Sequence, residues 1–275
     1  MGNRKLAGFT IIETTLFLGI SSFLIVALIA STGNSVNQQR YNDAVQTFKA
    51  TLQQQYADVA SVENSRNNNW SCGSTATPVT TGPTSDNRGQ SKCILMGKYV
   101  RLEDNKISIY KVVGYQQSTA PQANDILSLK NNYRMNVVRD NFEQTTLEWG
   151  TKISYPRTQS GASLVPYPKP QNPRKLGLFV VRSPDSGQIY TFSNSDTDVP
   201  DDANINSTTF SNVIVAGGFS PGEAQGARWL CINSDGLLVN NDSTAIQINA
   251  FASSASAIET QTNEYMKTSV LGFRC

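Results

Sequence analysis

The chain has 275 residues, of which 23 are Lys or Arg, 21 are Asp or Glu and none is His, so its formal charge is +2. A bulk nucleic-acid binder needs a much larger basic excess, because its affinity comes from cations that neutralise phosphates. Without histidine, this chain alone cannot build a Ser-His-Asp triad, a Cys-His pair or a His-ligated zinc site. The 39% hydrophobic content is enough for a packed core, which argues against wholesale disorder.

Taken in chain order, the charges are unevenly distributed. Residues 1–97 carry 7 basic and 5 acidic side chains, residues 98–182 carry 13 and 6, and residues 183–275 carry 3 and 10. The middle segment is therefore +7 and the last segment −7. Such charges can pair within one subunit or between stacked copies, and pairing within one subunit is the favoured interpretation.

A long apolar segment follows a short leader, residues 1–8, that contains Arg4 and Lys5. Residues 9–30 include only one ionisable side chain, Glu13. As a helix these 22 residues would be about 33 Å long, which matches the hydrocarbon core of a bilayer. Because the basic residues precede the segment, we expect a single-pass protein of the cytoplasmic membrane, with its N-terminus inside and its head extracytoplasmic.

Glu13 requires an explanation, since a carboxylate inside an apolar span is costly. It can lie near the membrane surface, protonated or reaching towards water. Alternatively, a cut before Phe9 would create an α-amine that neutralises Glu13 of a neighbouring copy. The segment also contains small and hydroxyl residues of the kind that favour helix association in lipid, namely Thr10, Thr14, Thr15, Gly19, Ser21 and Ser22.

Residues 8–13 read GFTIIE, which closely resembles the class III signal of type IV pilins and of the pseudopilins of type II secretion and competence systems. The resemblance implies that a prepilin peptidase cleaves between Gly8 and Phe9 and methylates the amine of Phe9. It also implies that Glu13 positions each subunit in a filament by pairing with the neighbour's N-terminus. Many family members have a helix-kinking proline about 21 residues after the cut, where this chain has Ala30.

Residues 31–62 are predicted to continue the helix as an amphipathic segment, past a polar stretch at Ser31 to Ser35. Apolar residues recur there at intervals of three or four, the spacing of one helix face. A single helix from about Phe9 to Val62 would be half membrane anchor and half support for a globular head. The predicted apolar face consists of Tyr41, Val45, Phe48, Leu52, Tyr56 and Val59.

Residues 63–275 are predicted to form a β-rich head. Residues 64–92 read as a long exposed loop, and three later pairs of apolar runs flank turn sequences, as in β-hairpins. The expected fold class is therefore α+β, with a long helix packed on a mostly antiparallel sheet, as in pilins. The hairpins are Lys98–Leu102 with Ile107–Val113, Leu176–Arg182 with Gln188–Phe192, and Arg228–Ile232 with Leu237–Val239; further strands are expected near Leu147–Ser154, Asn212–Ala216 and Ile246–Ala250.

Two short stretches carry a closer resemblance. Leu147–Thr151 and Leu230–Gly236 are similar to parts of the head of the FimT and GspH-type minor pilins. The large head and its long loop also favour a minor subunit, because a major subunit must tile closely.

Four cysteines lie beyond the apolar segment, in a region that the topology places in an oxidising space. An even number favours two disulfides, for which the sequence allows three pairings. We favour Cys72 with Cys93, which would close the long loop, and Cys231 with Cys275, which would pin the C-terminus to a hairpin. Zinc is the rival interpretation, but the chain lacks CxxC spacing and histidine.

An oxygen-rich loop offers weak candidates for calcium ligands. Its order differs from the D-x-D-x-D-G pattern, so a solvated acidic loop is the preferred interpretation. No other cofactor is expected, and no nucleophile, general-base pair or phosphate loop points to an enzyme. The candidate ligands are Asp196, Asp198, Asp201 and Asp202.

These features together predict a structural protein: a prepilin, in a minor role according to its size, that assembles into a type IV pilus or related filament at the cell surface or in the periplasm. The alternatives are a pseudopilin of a secretion or DNA-uptake system, an adhesin or DNA-binding tip protein that uses the +7 segment, and a membrane-anchored enzyme. The implied partners are the prepilin peptidase, other pilin subunits and the inner-membrane assembly machinery. Nucleic acid or a surface ligand is a further hypothesis.

Overall fold

The computed structural model describes residues 10–61, 71–74, 76–79, 93–160, 163–166, 174–194, 199–214, 227–234, 244–268 and 274–275. Its first helix, α1, is 50 residues long, which corresponds to about 75 Å. This helix is unbroken through Ser31 to Ser35, as the pattern of a single long helix predicted. The helices are α1 (Ile11–Ala60), α2 (Asp125–Asn131), α3 (Ser207–Val213) and α4 (Asn263–Thr268).

The strands in the described part of the chain form two principal sheets and two short pairs, and all of the pairings are antiparallel. The predicted α+β class with an antiparallel sheet is therefore confirmed. In chain order the strands are β1 (Ser71–Cys72), β2 (Pro78–Val79), β3 (Cys93–Glu103), β4 (Lys106–Gln116), β5 (Tyr133–Thr146), β6 (Lys152–Ser154), β7 (Arg157–Ser160), β8 (Ser163–Pro166), β9 (Lys175–Arg182), β10 (Ile189–Ser193), β11 (Ala227–Asn233), β12 (Thr244–Asn249) and β13 (Ile258–Thr262).

The larger sheet has five strands in the order β10-β9-β3-β4-β5, and the smaller has four in the order β13-β12-β11-β6. The short pairs are β1 with β2 and β7 with β8. The edges of the larger sheet are therefore β10 and β5, and β5 is the longest strand at 14 residues.

One face of α1 packs against both principal sheets. The six residues predicted to share that face are all buried, and the most exposed of them, Val59, is at 8%. Full burial of an apolar side chain of this size contributes about 1.5–3 kcal/mol, so this face is a major source of stability. The same core cluster takes Val100, Leu102, Ile107, Ile109, Leu176, Leu178 and Val180 from the larger sheet, and Ile153, Leu230, Ile232, Ile246, Ile248 and Ile258 from the smaller sheet.

Two tyrosines of α1 add hydrogen bonds to this packing. The Tyr41 hydroxyl donates to the carbonyl oxygen of Ile232 at 2.9 Å and accepts from the backbone nitrogen of Thr244 at 2.7 Å. The Tyr56 hydroxyl lies 2.8 Å from Oγ1 of Thr191 on β10. Burial raises the pKa of Tyr56 to about 12 despite that hydrogen bond. Both hydroxyls therefore join α1 to a strand while their rings fill the core.

The opposite faces of the two sheets are also covered. Phe179 and Val181 of β9 belong to a second cluster that includes Leu129 of α2 and Phe210 of α3. On the smaller sheet, Met266 of α4 covers a third cluster. Because the larger sheet is buried on both faces, six consecutive residues of β9 are buried instead of every second one.

Two predicted hairpins are confirmed. Strands β3 and β4 pair through the end residues Glu103 and Lys106, so their turn has two residues, and Asp104 takes a left-handed conformation with φ of 55°. Strands β9 and β10 form the second hairpin. For the third, Leu237–Val239 lies outside the described residues, and the described partners of β11 are β12 and β6.

Three other strand predictions had different outcomes. The strand near Ile246–Ala250 is confirmed as β12. The strand near Asn212–Ala216 is wrong over its described residues, because α3 extends to Val213 and its N-cap Asn206 accepts hydrogen bonds from two backbone N–H groups. The prediction for Leu147–Ser154 is right only for β6, since residues 148–150 form a single 3₁₀ turn.

We expect Tyr41→Phe to lower the free energy of unfolding by about 1–3 kcal/mol, because it leaves a buried donor and a buried acceptor without their shared partner. Tyr265→Phe is the matched control, since Tyr265 is 52% exposed on α4. Denaturant unfolding of the full chain in detergent, followed by circular dichroism, measures both variants. Equal stability of the two variants would contradict the role given to the Tyr41 hydroxyl.

Candidate membrane-spanning and assembly segment

The N-terminal part of α1 carries an apolar surface that the head does not cover. Residues 11–29 have a mean hydropathy of 2.1 and form the one candidate membrane span among the described residues. None of this window is buried, and its large apolar side chains are at least 54% exposed. At 19 residues the segment is about 28 Å long, sufficient to cross the hydrocarbon core of a bilayer.

Glu13 lies in the first turn of this segment and takes part in a capping box with Thr10. The Glu13 Oε2 atom accepts from the Thr10 backbone nitrogen at 3.0 Å and from its hydroxyl at 3.1 Å. In return, the Thr10 hydroxyl accepts from the Glu13 backbone nitrogen at 3.3 Å. This arrangement satisfies backbone donors that a helix leaves unpaired at its start. Gly8 and Phe9, the predicted processing residues, lie outside the described residues.

Hydroxyl side chains within the span are satisfied by the helix itself. Thr14 donates to the carbonyl oxygen of Ile11 at 2.9 Å, Thr15 to that of Ile12 at 3.0 Å and Ser22 to that of Leu18 at 2.7 Å. Such bonds let polar side chains exist in lipid without an outside partner, although they remain able to accept from a neighbouring helix.

The junction between the span and the head contains an aromatic contact. The guanidinium carbon of Arg40, the first cation beyond the span, lies 4.8 Å from the centroid of a Trp149 ring. Trp149 also donates from Nε1 to Asp43 at 3.3 Å. Its φ of 55° and the φ of 72° at Gly150 turn the chain here, which explains why a continuous strand was the wrong prediction.

No family model, curated protein or solved structure matches the chain.

Both pairs of cysteines that the sequence favoured are close enough to bond, and the structure contains both disulfides. Cys72 and Cys93 have Cα atoms 5.1 Å apart, and Cys231 and Cys275 have Cα atoms 5.3 Å apart. The first bond joins β1 to the start of β3, and the second joins β11 to the C-terminus. Cys275 is held further by a hydrogen bond from its backbone nitrogen to Oδ1 of Asn263 at 2.9 Å.

Two of the calcium candidates lie in a network of ion pairs. Arg101, which is only 6% exposed, contacts Asp201 at 3.4 Å, Asp202 at 3.2 Å and Glu103 at 2.6 Å. Lys175 contacts Glu103 at 3.1 Å and Asp201 at 3.3 Å. The two aspartates therefore have cationic partners in the same subunit. Asp196 and Asp198 lie outside the described residues.

The network shifts the pKa of its members in opposite directions. Burial alone raises the pKa of Glu103, but the hydrogen bond from Lys175 and the charge of Arg101 outweigh burial and lower it below its usual range. The hydrogen bond to Glu103 raises the pKa of Lys175. Charges of the basic middle segment and the acidic last segment thus meet inside one subunit, in agreement with the favoured interpretation of their distribution.

A second polar network was not predicted from the sequence. Asp125, at the start of α2, accepts from the hydroxyl of Ser183 at 2.6 Å and from that of Ser186 at 2.5 Å. Asp185 accepts from Tyr133 at 2.8 Å and from Ser128 at 2.5 Å. These bonds fix α2 to the turn between β9 and β10. The sequence predicted a turn between Leu176–Arg182 and Gln188–Phe192, but the partners of Asp185 in that turn are more than 50 residues away in the chain.

We expect Glu103→Gln to destabilise the protein by about 1 kcal/mol at neutral pH, where the carboxylate is ionised. Because the pKa of Glu103 is lower in the folded state, its contribution is present above the unfolded pKa and is lost as the pH falls through the folded pKa. The difference in free energy of unfolding between Glu103→Gln and wild type should therefore shrink towards zero in strong acid. Denaturant unfolding at several pH values measures it.

Glu143→Gln is the matched control, since Glu143 is exposed on β5. It should change stability little at any pH. If Glu103→Gln had a free energy of unfolding below that of wild type by the same amount at every pH down to strong acid, the electrostatic origin of the effect would be contradicted.

Proposed function

We propose that the chain is the precursor of a subunit of a type IV pilus or a related filament, in a minor position. On this proposal, prepilin peptidase cleaves between Gly8 and Phe9 and methylates Phe9. The pseudopilins of type II secretion and competence systems share this signal, so the proposal covers both kinds of filament. The proposal rests on the GFTIIE sequence and on the fold of the residues that follow it.

The single observation that supports the proposal most is the division of α1 into two halves. From Tyr41 to Val59 one face of the helix is buried in the head, whereas from Ile11 to Ile29 no side chain is buried. An apolar helix exposed all round is unfavourable in water and indicates a membrane or an interface. A bilayer before assembly and neighbouring helices after assembly would cover the same surface in turn.

Glu13 has the geometry for an additional partner. The two hydrogen bonds that Thr10 donates to the Glu13 carboxylate both go to Oε2, and no described residue donates a hydrogen bond to Oε1. Carboxylate oxygens accept more than one bond, so Oε1 is suited to the α-amine of a neighbouring subunit. An ion pair shielded from water by packed helices would disfavour subunits that are out of register, because an unpaired charge there is costly.

The head fits an exported position. Two disulfides in one chain are typical of an oxidising space outside the cytoplasm. Three of the 13 cations in the basic middle segment form ion pairs within the chain: Arg101 and Lys175 in the ion-pair network, and Lys98 with Asp58 of α1. Because these three are neutralised and the whole chain is only +2, no observation favours DNA capture as a second function.

The proposal predicts that purified membrane protein begins at a methylated Phe9, and that Glu13→Gln is cleaved normally but fails to enter filaments. Glutamine preserves a capping box with Thr10 while removing the charge, so this variant isolates the proposed ion pair. N-terminal mass spectrometry measures cleavage, and sheared filaments measure assembly.

Glu264→Gln is the matched control, since Glu264 is exposed on α4 far from the span in sequence. It should be cleaved and assembled like wild type. An intact Met1 in cells that contain the peptidase would contradict the processing proposal. Normal assembly of Glu13→Gln would contradict the role of the charge.

A further inference from the structure

A cavity of about 240 Å³ lies on the face of the larger sheet opposite α1. It is bounded by the start of the edge strand β5, the end of α2 and one side of α3. Buried side chains close its floor, whereas the surface that a ligand can reach is formed mostly by the polar rim, so the cavity suits a polar ligand. The polar rim consists of Gln117, Lys130, Asn131, Arg134, Ser207 and Ser211.

The rim is positively charged. Lys130 and Arg134 are exposed cations, and none of the described residues that line the cavity is acidic. Neither cation forms an ion pair in the described part of the chain, unlike Lys98, Arg101 and Lys175 of the same sheet. Two like charges around one small cavity disfavour each other, and an anion between them would remove that cost.

The guanidinium of Arg134 is held in place by a chain of hydrogen bonds. Its Nε donates to Oε1 of Gln117 at 2.7 Å, and Gln117 donates from Nε2 to the carbonyl oxygen of Asn131 at 2.9 Å. The side chain of Asn131 in turn donates to Oε1 of Gln122 at 3.0 Å. Because no described residue bonds the two terminal nitrogens of Arg134, they can bind two oxygens of an anionic group from a fixed position.

Helix α3 brings two hydroxyl groups to the same cavity. Ser207 and Ser211 are four residues apart, so they lie on the same side of the helix. Neither hydroxyl forms a hydrogen bond with another described residue. Since a hydroxyl can both donate and accept, these two side chains suit the hydroxyl groups of a ligand.

The volume of the cavity sets the size of the ligand. At about 30 Å³ per water molecule it holds about eight waters, which is more than a single oxyanion would replace. It is slightly smaller than the range of about 300–1,000 Å³ that is usual for drug-sized ligands. One sugar ring with its substituents lies between these two limits.

We propose that this cavity binds a monosaccharide that carries one anionic group, either a carboxylate or a phosphate. The anionic group would lie between Arg134 and Lys130, and hydroxyl groups of the ring would bond to Ser207 and Ser211. This arrangement needs no apolar surface, because each protein group that it uses is polar. The site is separate from α1 and does not depend on the proposed assembly function.

The test uses the full chain, labelled with ¹³C-methyl methionine, in a polyoxyethylene detergent that contains no sugar. Met135 lies in the floor of the cavity, whereas Met266 lies under α4 on the smaller sheet, so their methyl resonances report the place of binding. Glucuronate and glucose 6-phosphate are the probes, and at least one should shift Met135 and leave Met266 unchanged. Ligands of about 13–16 non-hydrogen atoms are expected to bind with an affinity of about 1 mM, so titration to about 10 mM is sufficient.

Two comparisons test the charge requirement. Glucose should bind at least tenfold more weakly than the sugar anion, and Arg134→Gln or Lys130→Gln should weaken binding of that anion by a similar factor, because each change removes one member of a charged pair. Lys106→Gln is the matched control, since Lys106 is exposed at the turn between β3 and β4 and does not line the cavity. An unchanged Met266 resonance in each ligand-free variant establishes that it is folded.

Two further comparisons test the sugar ring. Acetate and inorganic phosphate, which carry the charge without the ring, should each bind at least tenfold more weakly than the sugar anion with the same charged group. Ser211→Ala should weaken binding of the sugar anion about threefold, because it removes one hydrogen bond to a ring hydroxyl. The ratio of the affinities of glucuronate and glucose 6-phosphate identifies the preferred charged group.

Four results would overturn the proposal. The first is that neither sugar anion shifts the Met135 resonance over the titration. The second is equal binding of glucose and the sugar anions, or of wild type and Arg134→Gln, which would remove the need for an anion. The third is binding of acetate or inorganic phosphate as strong as that of the corresponding sugar, which would remove the need for the ring. The fourth is an equal shift at Met266, which would show binding without preference for the cavity.

Discussion

The packing of one helix face across two sheets is the constraint on which the rest of the head depends. Strands of the two principal sheets are not paired with each other in the described chain, yet both contribute side chains to the cluster beneath α1. Tyr41 and Tyr56 add hydrogen bonds from the same helix face to β11, β12 and β10. The helix therefore fixes the relative position of the sheets as well as covering them.

The same helix connects the stability of the head to the surface that the head leaves uncovered. Because α1 is continuous, its buried C-terminal half holds its apolar N-terminal half in a fixed direction outside the head. On the proposed function, this rigid connection would keep the apolar half of α1 in one orientation as the subunit enters a filament. The ion pairs around Arg101 neutralise opposite charges of distant segments within the head.

Regular local patterns were predictable from the sequence, whereas contacts between distant segments were not. The face from Tyr41 to Val59 has the helix period over several turns, and the β3–β4 hairpin has a two-residue turn, so both were predicted correctly. Strand β5 was missed because its second half is polar and lies at a sheet edge. The contact of Arg101 with Asp201 spans 100 residues, and neither residue has a sequence pattern that identifies the other.

Cysteine accessibility in intact cells tests the central claim most directly, namely that the uncovered half of α1 lies in a membrane while the head is exported. The described structure has no free cysteine, so labelling reports only introduced ones. With a membrane-impermeant maleimide applied from outside the cytoplasmic membrane, Gln46→Cys should be labelled at once, and Ser22→Cys only after detergent disrupts the membrane. Labelling of Ser22→Cys in intact membranes, or of Gln46→Cys only after permeabilisation, would contradict the account.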